Sequence, residues 1–246
     1  MAEVLLEHND SVAVITINDP DRRNALTVDL SQELADKVAE AEREANALII
    51  TGAPPAFCAG ADLTQLGNSK DEGLRLIYKG FLAVANATIP TIAAVNGAAV
   101  GAGLNLALAA DLRVAGPKAR FDARFLQLGI HPGGGMTWML QKITSRQTAT
   151  AMTLFGQILD ADEAVAKGLA YAKAEDPLAV AKELAKAAAE APAALVRTIK
   201  ATMRTTDAMH DHAEAVETEL LPQVASIDTP EFAARLAAMK ARISGR

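Results

Sequence analysis

Val95-Asn96-Gly97-Ala98-Ala99-Val100-Gly101-Ala102-Gly103-Leu104-Asn105 is the stretch that decides the fold. It follows Thr91 to Val95 (TIAAV), which reads as a buried strand, and it opens a helix near Gly101. A second stretch repeats this arrangement upstream. Ala47 to Thr51 (ALIIT) is a short apolar strand stopped by Gly52 and Pro54-Pro55. Phe57-Cys58-Ala59-Gly60-Ala61-Asp62-Leu63 then opens an apparent helix, with Asp62 in or near its first turn. Loops built from Gly and Ala leave backbone N–H groups unpaired and sterically open. A carbonyl oxygen held between two such groups sits in an oxyanion hole, and helix dipoles aimed at it add stabilisation. Two other readings stand beside this one. Gly101 and Gly103 could serve only tight helix–sheet packing. A dinucleotide-binding loop of the NAD type is the other, but the spacing is G-x-x-x-G-x-G rather than G-x-G-x-x-G.

Outward from these loops the pattern is alternating. Val12 to Ile17 (VAVITI) reads as a strand ending at Asn18-Asp19-Pro20, with Val4 to Glu7 able to pair with it across Asn9-Asp10. Leu30, Leu34, Val38 and Ala41 recur at helical spacing, with Thr27 as N-cap and Asp29 in the first turn. Leu112 to Ala115 and Ala119 to Phe125 read as further strands. Beyond about Ser145 helices dominate, with one weak strand signal at Leu169 to Ala172. They are expected over Arg146 to Phe155, Ala161 to Lys167, Leu178 to Glu190, Pro192 to Met203 and Asp211 to Val224. The last helix has Thr229 as cap, Pro230 at its first position and Phe232, Leu236, Met239 and Ile243 in one stripe. The expected organisation is an α/β core over residues 1–190 and a helical region over 191–246.

The chain has 246 residues, half of them apolar, and a net charge of −6. That charge stands against non-specific nucleic-acid binding, which needs a basic face. Cys58 is the only cysteine, so no intrachain disulfide forms. The longest near-apolar run, Thr88 to Ala110, is broken by Pro90, Asn96 and Asn105 and makes a poor membrane span. A soluble cytoplasmic protein is expected, without membrane insertion. His210 and His212 are two apart and would diverge on a helix, so no metal site is expected.

Taken together the motifs resemble the crotonase superfamily, the enoyl-CoA hydratase/isomerase family. The matching pieces are Asn24-Ala25-Leu26, ALIITG at 47–52, FCAGADL at 57–63, IPTIAAVNGAAVGAG at 89–103, AADLR at 109–113, LGIHPGGG at 128–135, and Ala161, Glu163-Ala164 and Gly168-Leu169. The resemblance covers nearly the whole chain. It implies a spiral of ββα units with a helical C-terminal trimerisation region, in a homotrimer or a dimer of trimers (a hexamer). It implies that the N–H groups of Ala61 and Ala102 grip the oxygen of an acyl-CoA thioester. Coenzyme A would enter as part of the substrate and not as a cofactor. Arg22, Arg23 and Ala25 match positions lining the nucleotide end. Ala59, Asp62 and Leu63 match the pocket between pantetheine and adenine. Lys240 matches a basic position that reaches CoA phosphates. The family's place in fatty acid metabolism, as lyases or isomerases, is implied likewise.

The resemblance also implies two catalytic glutamates, and neither is present. Asn105 stands at the first position and Phe125 at the second, while a third acidic position used by some isomerases falls on Gly133. Asn cannot take a proton at neutral pH. Asp122, three residues before Phe125, is expected on the opposite face of an extended segment, in a surface ion pair with Arg124. Ordinary hydratase activity is therefore expected to be lost or weak. Three readings stay open. Decarboxylation of a malonyl-type thioester needs only the oxyanion hole. His131, beside Pro132, could replace a carboxylate. The protein could also be a non-catalytic acyl-CoA binder with Phe125 lining an acyl slot. Met136, Trp138 and Met139 are expected in core packing, and Cys58 as a small buried hydrophobe. Asp62 and Asp111 are expected to hold loop geometry.

Overall fold

Through the middle of this chain, successive strands are dealt alternately into two sheets. The computed structural model describes residues 2–62, 64 and 70–244, and the chain divides into two compact units, residues 1–189 and 190–246. In the first unit β1 (Glu3–Asn9), β2 (Val12–Asn18), β3 (Ala47–Gly52), β5 (Thr91–Val95), β7 (Leu112–Ala115) and β10 (Ala172–Lys173) form a six-stranded sheet in the order β1-β2-β3-β5-β7-β10. The β1–β2 hairpin is antiparallel and every later pair is parallel. Strands β4 (Ala56–Cys58), β6 (Ala98–Val100), β8 (Arg120–Asp122) and β9 (Leu159–Asp160) form a second sheet in that order. Each of β3, β5 and β7 thus runs into a short partner in the other sheet. Helix α2 (Lys70–Asn86) follows β4 and α3 (Ala102–Ala109) follows β6, which makes the spiral of ββα units.

Period-two alternation explains why the long strands are apolar throughout. Val12, Val14, Ala47, Ile49, Ile92 and Ala94 face one side, where Ala181 and Ala185 of α7 (Pro177–Ala189) cover them. Ala13, Ile15, Ile17, Leu48, Ile50, Ala93 and Val95 face the other, into the main core with Phe57, Phe81 and Phe121. A parallel sheet covered on both faces needs hydrophobic residues at every position. Helix α1 (Val28–Glu44) buries Leu30, Leu34, Val38 and Ala41, and Thr27 Oγ1 accepts the Leu30 N–H at 3.1 Å. The stripe and the cap are those read from the sequence.

Three local expectations differ. The segment after Gly97 does not pass straight from strand to helix, because β6 intervenes. The expected strand over 119–125 stops at Asp122: Arg124 adopts φ 59° and Leu126–Leu128 form a 3-10 turn. The face argument that set Asp122 against Phe125 therefore fails. Asp122 does pair with Arg124, Nε to Oδ2 at 2.8 Å, but its side chain is 3% exposed and not a surface group. Helix α2 lay outside the sequence reading. Its stripe of Ile77, Phe81 and Val84 is interrupted by Gly73 and Gly80, and Gly80 lets α2 approach α1 closely, since a Cβ there would stand 3.1 Å from Leu34 and Ser31.

The second unit contains α8 (Ala193–Thr206), α9 (His212–Ile227) and α10 (Pro230–Ser244). Thr229 Oγ1 accepts the Phe232 N–H at 3.2 Å and so caps α10. No residue of α9 is buried, and Phe232, Leu236, Met239 and Ile243 of α10 are all exposed.

Asn24 ties the first functional loop to the sheets. It is fully buried with φ 61°. Its Oδ1 accepts the Asp19 N–H at 2.9 Å, and its Nδ2 donates to the Ala53 and Ala56 carbonyls at 2.7 and 2.8 Å. Alanine would orphan these groups and would tolerate the left-handed backbone less well. We expect Asn24→Ala to lower unfolding free energy by about 3 kcal/mol in urea titration.

Candidate functional site

Two turns, one from each functional stretch, lie side by side at the ends of β4 and β6. The first is clamped by the segment 22–26. Ala59 N–H donates to Arg23 O at 3.0 Å, Leu26 N–H to Gly60 O at 2.8 Å, and Asp62 N–H to Leu26 O at 2.8 Å. Leu26 uses both its amide groups on Gly60 and Asp62 in a parallel bridge, so the N–H of Ala61 points away from Leu26. Ala61 is half-buried, and among the described residues its N–H has no acceptor.

The second turn is Gly101-Ala102-Gly103. Gly101 stands at φ 51° and caps α3 without a side chain, and its N–H donates to Asp122 O at 2.9 Å. Ala102 is the first residue of α3, and among the described residues its N–H also lacks an acceptor. No acidic side chain occupies the first turn of α3. The positive end of the helix is left open. Parallel pairing of β4 with β6 brings the turns together. Their approach is backbone on backbone: a Cβ at Gly103 would stand 2.0 Å from the Cys58 carbonyl oxygen, and one at Gly60 would stand 3.3 Å from that of Val100. The arrangement offers two unpaired N–H donors on neighbouring turns, the first requirement for holding a carbonyl oxygen.

The residues flagged from sequence fall into three places. Arg22, Arg23, Ala25, Ala59, Ala61 and Asp62 gather at the first turn. Arg22 Nε bonds Asp19 Oδ2 at 2.7 Å and its Nη1 stands 3.9 Å from Asp62 Oδ2, so its charge is already shared by two carboxylates. Arg23 is exposed and in no ion pair among the described residues. The hydroxyl and N–H of Thr64 bond the Asp62 carboxylate and hold it below the usual range, with Arg22 contributing. Leu63 lies outside the described residues.

Ala102, Asn105, Phe125 and Gly133 gather at the second turn. Asn105 shares a face of α3 with Ala102, is buried, and donates from Nδ2 to Gly133 O at 3.0 Å. A Cβ at Gly101 would stand 4.0 Å from Phe125 Cζ, so this half-buried ring reaches the turn. His131 and Pro132 line a separate cleft of about 350 Å³ with Leu126, Ile130, Arg146 and Leu154. There the exposed imidazole sets Nδ1 2.7 Å from the carbonyl of Pro132, which only accepts, so Nδ1 carries the proton. Neither Asn105, Ala61 nor Ala102 lines that cleft. Lys240 belongs to the second unit, exposed on α10.

Other readings resolve simply. Asp111 Oδ2 accepts the N–H and hydroxyl of Thr91 at 2.7 and 3.0 Å and holds a turn. Met136 is in the core, whereas Trp138 at the start of α4 (Met136–Ile143) is 62% exposed, contrary to the packing expected of it. Among the described residues no cluster of His, Cys, Asp and Glu could hold a metal ion. Sequence reasoning missed Tyr78 of α2, whose Oη lies against Gly133: a Cβ there would stand 2.2 Å from it. Its only sequence signal was helical spacing from Phe81, whose ring it meets at 5.3 Å.

A family model described as enoyl-CoA hydratase/isomerase matches residues 7–235. A probable enoyl-CoA hydratase of Mycobacterium tuberculosis is 52% identical over 250 residues, covering 97% of this chain and 98% of its own. The 1,2-epoxyphenylacetyl-CoA isomerase of Escherichia coli is 34% identical over 187 residues, or 72% of this chain and 71% of its own. The crystal structure of enoyl-CoA hydratase from Bacillus anthracis superposes with a TM-score of 0.90 at 27% identity, covering 98% of this chain and 96% of that one.

Cys58 sits between the two turns, fully buried, with its thiol directed at Gly60 O at 3.6 Å. Burial pushes its pKa up to about 12. The neutral thiol therefore persists through the physiological range, and the thiolate is the reactive form. Iodoacetamide at pH 8 is expected to leave the folded protein unlabelled, with full labelling after denaturation, as read by intact mass.

Proposed function

Because this chain belongs to the enoyl-CoA hydratase/isomerase family, the crotonase superfamily, we propose that it binds an acyl-CoA thioester with the carbonyl oxygen between the N–H groups of Ala61 and Ala102. The observation that carries this is the pair of unpartnered N–H groups on turns packed together through Gly103 and Cys58. The chain is a hydratase/isomerase-type protein, and an enolate of the thioester is the species such a hole stabilises. Each donor is worth about 3–4 kcal/mol of transition-state stabilisation. The Ala102 methyl leaves the N–H in place. Arg23, with Arg22, Ala25, Ala59 and Asp62, is our choice for the CoA end, and Lys240 of α10 is our choice for a basic group that reaches the CoA phosphates of a neighbouring subunit. The exposed apolar stripes of α9 and α10 support assembly into a homotrimer or a dimer of trimers. We assign the protein to fatty acid metabolism in the cytoplasm. Among the described residues no helix is long and apolar enough to cross a membrane.

Asn105 and Phe125 supply no base, so hydration of a simple enoyl thioester is slow in this proposal. The placement of His131 in a separate cleft favours Asn105 over the imidazole as the polar group beside the thioester.

Ala102 occupies the first position of α3, where proline is tolerated and replaces the N–H with a ring carbon. Ala102→Pro should keep the thermal melt while lowering turnover of its best enoyl-, dienoyl- or malonyl-type CoA ester by about 100- to 1,000-fold. Calorimetry with butyryl-CoA should show saturable binding to the parent protein. Undiminished turnover in Ala102→Pro would remove this N–H from the mechanism. Crotonyl-CoA hydration surviving Asn105→Ala and His131→Ala together would overturn the assignment of the chemistry.

A further inference from the structure

A strained piece of backbone lies beside the second turn, and a buried charge holds it there. Arg124 follows β8 at φ 59°, a region that an arginine enters at a cost. Phe125 N–H donates to Ala123 O at 2.8 Å, so Arg124 is the centre of a three-residue γ-turn of the rare, strained kind. An arginine backbone has no preference for this conformation, so the side chain must enforce it. Nε and Nη2 of Arg124 both donate to Oδ2 of Asp122, whose side chain is 3% exposed. A carboxylate this far from water is costly to leave unpaired, which ties the guanidinium and the backbone that carries it in place. Two contacts pass from this clamp to the turn that carries Ala102. Asp122 O accepts the Gly101 N–H at 2.9 Å. The γ-turn also reverses the chain, and Phe125 Cζ then stands 4.0 Å from where a Gly101 Cβ would be. Gly101, itself at φ 51°, is thus held through its N–H and covered by an aromatic ring.

We propose that Arg124, through its ion pair with Asp122, is a positioning residue for the Ala102 N–H. The pair holds the γ-turn that seats Phe125 against Gly101, and so fixes the direction in which the first turn of α3 donates. This rests on the thioester-binding reading above. Neither Asp122 nor Arg124 touches the ester; both act through Gly101 and Phe125. A hydrogen-bond donor helps a developing oxyanion only when it is aimed before charge appears, and small displacements of such a group are expensive. The strain at Arg124 is therefore stored beside the donor it aims.

The test reads the infrared carbonyl stretch of bound butyryl-CoA, ¹³C-labelled at the thioester, in the full-length protein and three variants, each first checked by thermal melt. The parent protein should show one narrow band displaced to lower wavenumber. Arg124→Ala removes the clamp and leaves a residue that resists positive φ, so its band should broaden and move back toward the position in water. The kcat for its best CoA ester should fall about tenfold in this variant, with KM little changed. In the double variant Arg124→Gly with Asp122→Asn, glycine takes the turn without strain and no buried charge is left behind. The parent band should return there. Phe125→Ala keeps the clamp but removes the ring, and should broaden the band as Arg124→Ala does; with the double variant it carries the test if Arg124→Ala does not fold. An unchanged band in Arg124→Ala or Phe125→Ala, or a broadened one in the double variant, would overturn the proposal and leave the thioester-binding reading intact. An undisplaced band in the parent protein would overturn both.

Discussion

The contact between Gly103 and the Cys58 carbonyl is the constraint on which the functional region depends. No side chain fits between them, because a Cβ would stand 2.0 Å from the oxygen. Two main-chain segments therefore touch directly, and the turns that follow β4 and β6 are forced into register. The consequence is chemical. Unpaired N–H groups on separate loops ordinarily find water, whereas here Ala61 and Ala102 present theirs from fixed backbone. Backbone donors of this kind need little reorganisation when charge develops on a bound oxygen.

The supporting layers serve that contact. Strands β3, β5 and β7 are buried on both faces and set the positions from which β4 and β6 depart. Asn24, in a left-handed backbone conformation, bridges the first turn to the carbonyls of Ala53 and Ala56. The buried Asp122 carboxylate and Arg124 shape the chain beside Gly101, whose N–H bonds Asp122 O. The two turns thus meet through main chain, while Asn105, Phe125 and Tyr78 bring side chains to the region beside the second turn.

Much of this was legible in the sequence, for physical reasons that differ by element. The strands at 12–17, 47–51, 91–95 and 112–115 carry β-branched or aliphatic runs because both faces are covered. Helix α1 announces itself through Thr27 and a clean apolar stripe. Strands β4 and β6 are three residues each, too short for alternation to register, and sit within glycine-rich stretches that read as loops. Helix α2 hides behind Gly73 and Gly80, which weaken helical propensity, while Gly80 permits close packing on α1. The parity argument at Asp122 fails because Arg124 turns left-handed, which nothing in the residue types requires. At the site, the Gly/Ala loops pointed to the main-chain donors. Tyr78 is invisible to that reading, since it reaches Gly133 only through the packing of α2 on its neighbours.

The central claim is that two main-chain N–H groups act on one thioester oxygen. Difference infrared spectroscopy with butyryl-CoA carrying a ¹³C-labelled thioester carbonyl addresses it directly, because hydrogen bonding to that oxygen weakens the C=O bond. The account requires the labelled stretch to move to lower wavenumber on binding, as a single narrowed band. A bound ligand whose carbonyl stretch stays at its value in water, or moves to higher wavenumber, would contradict it.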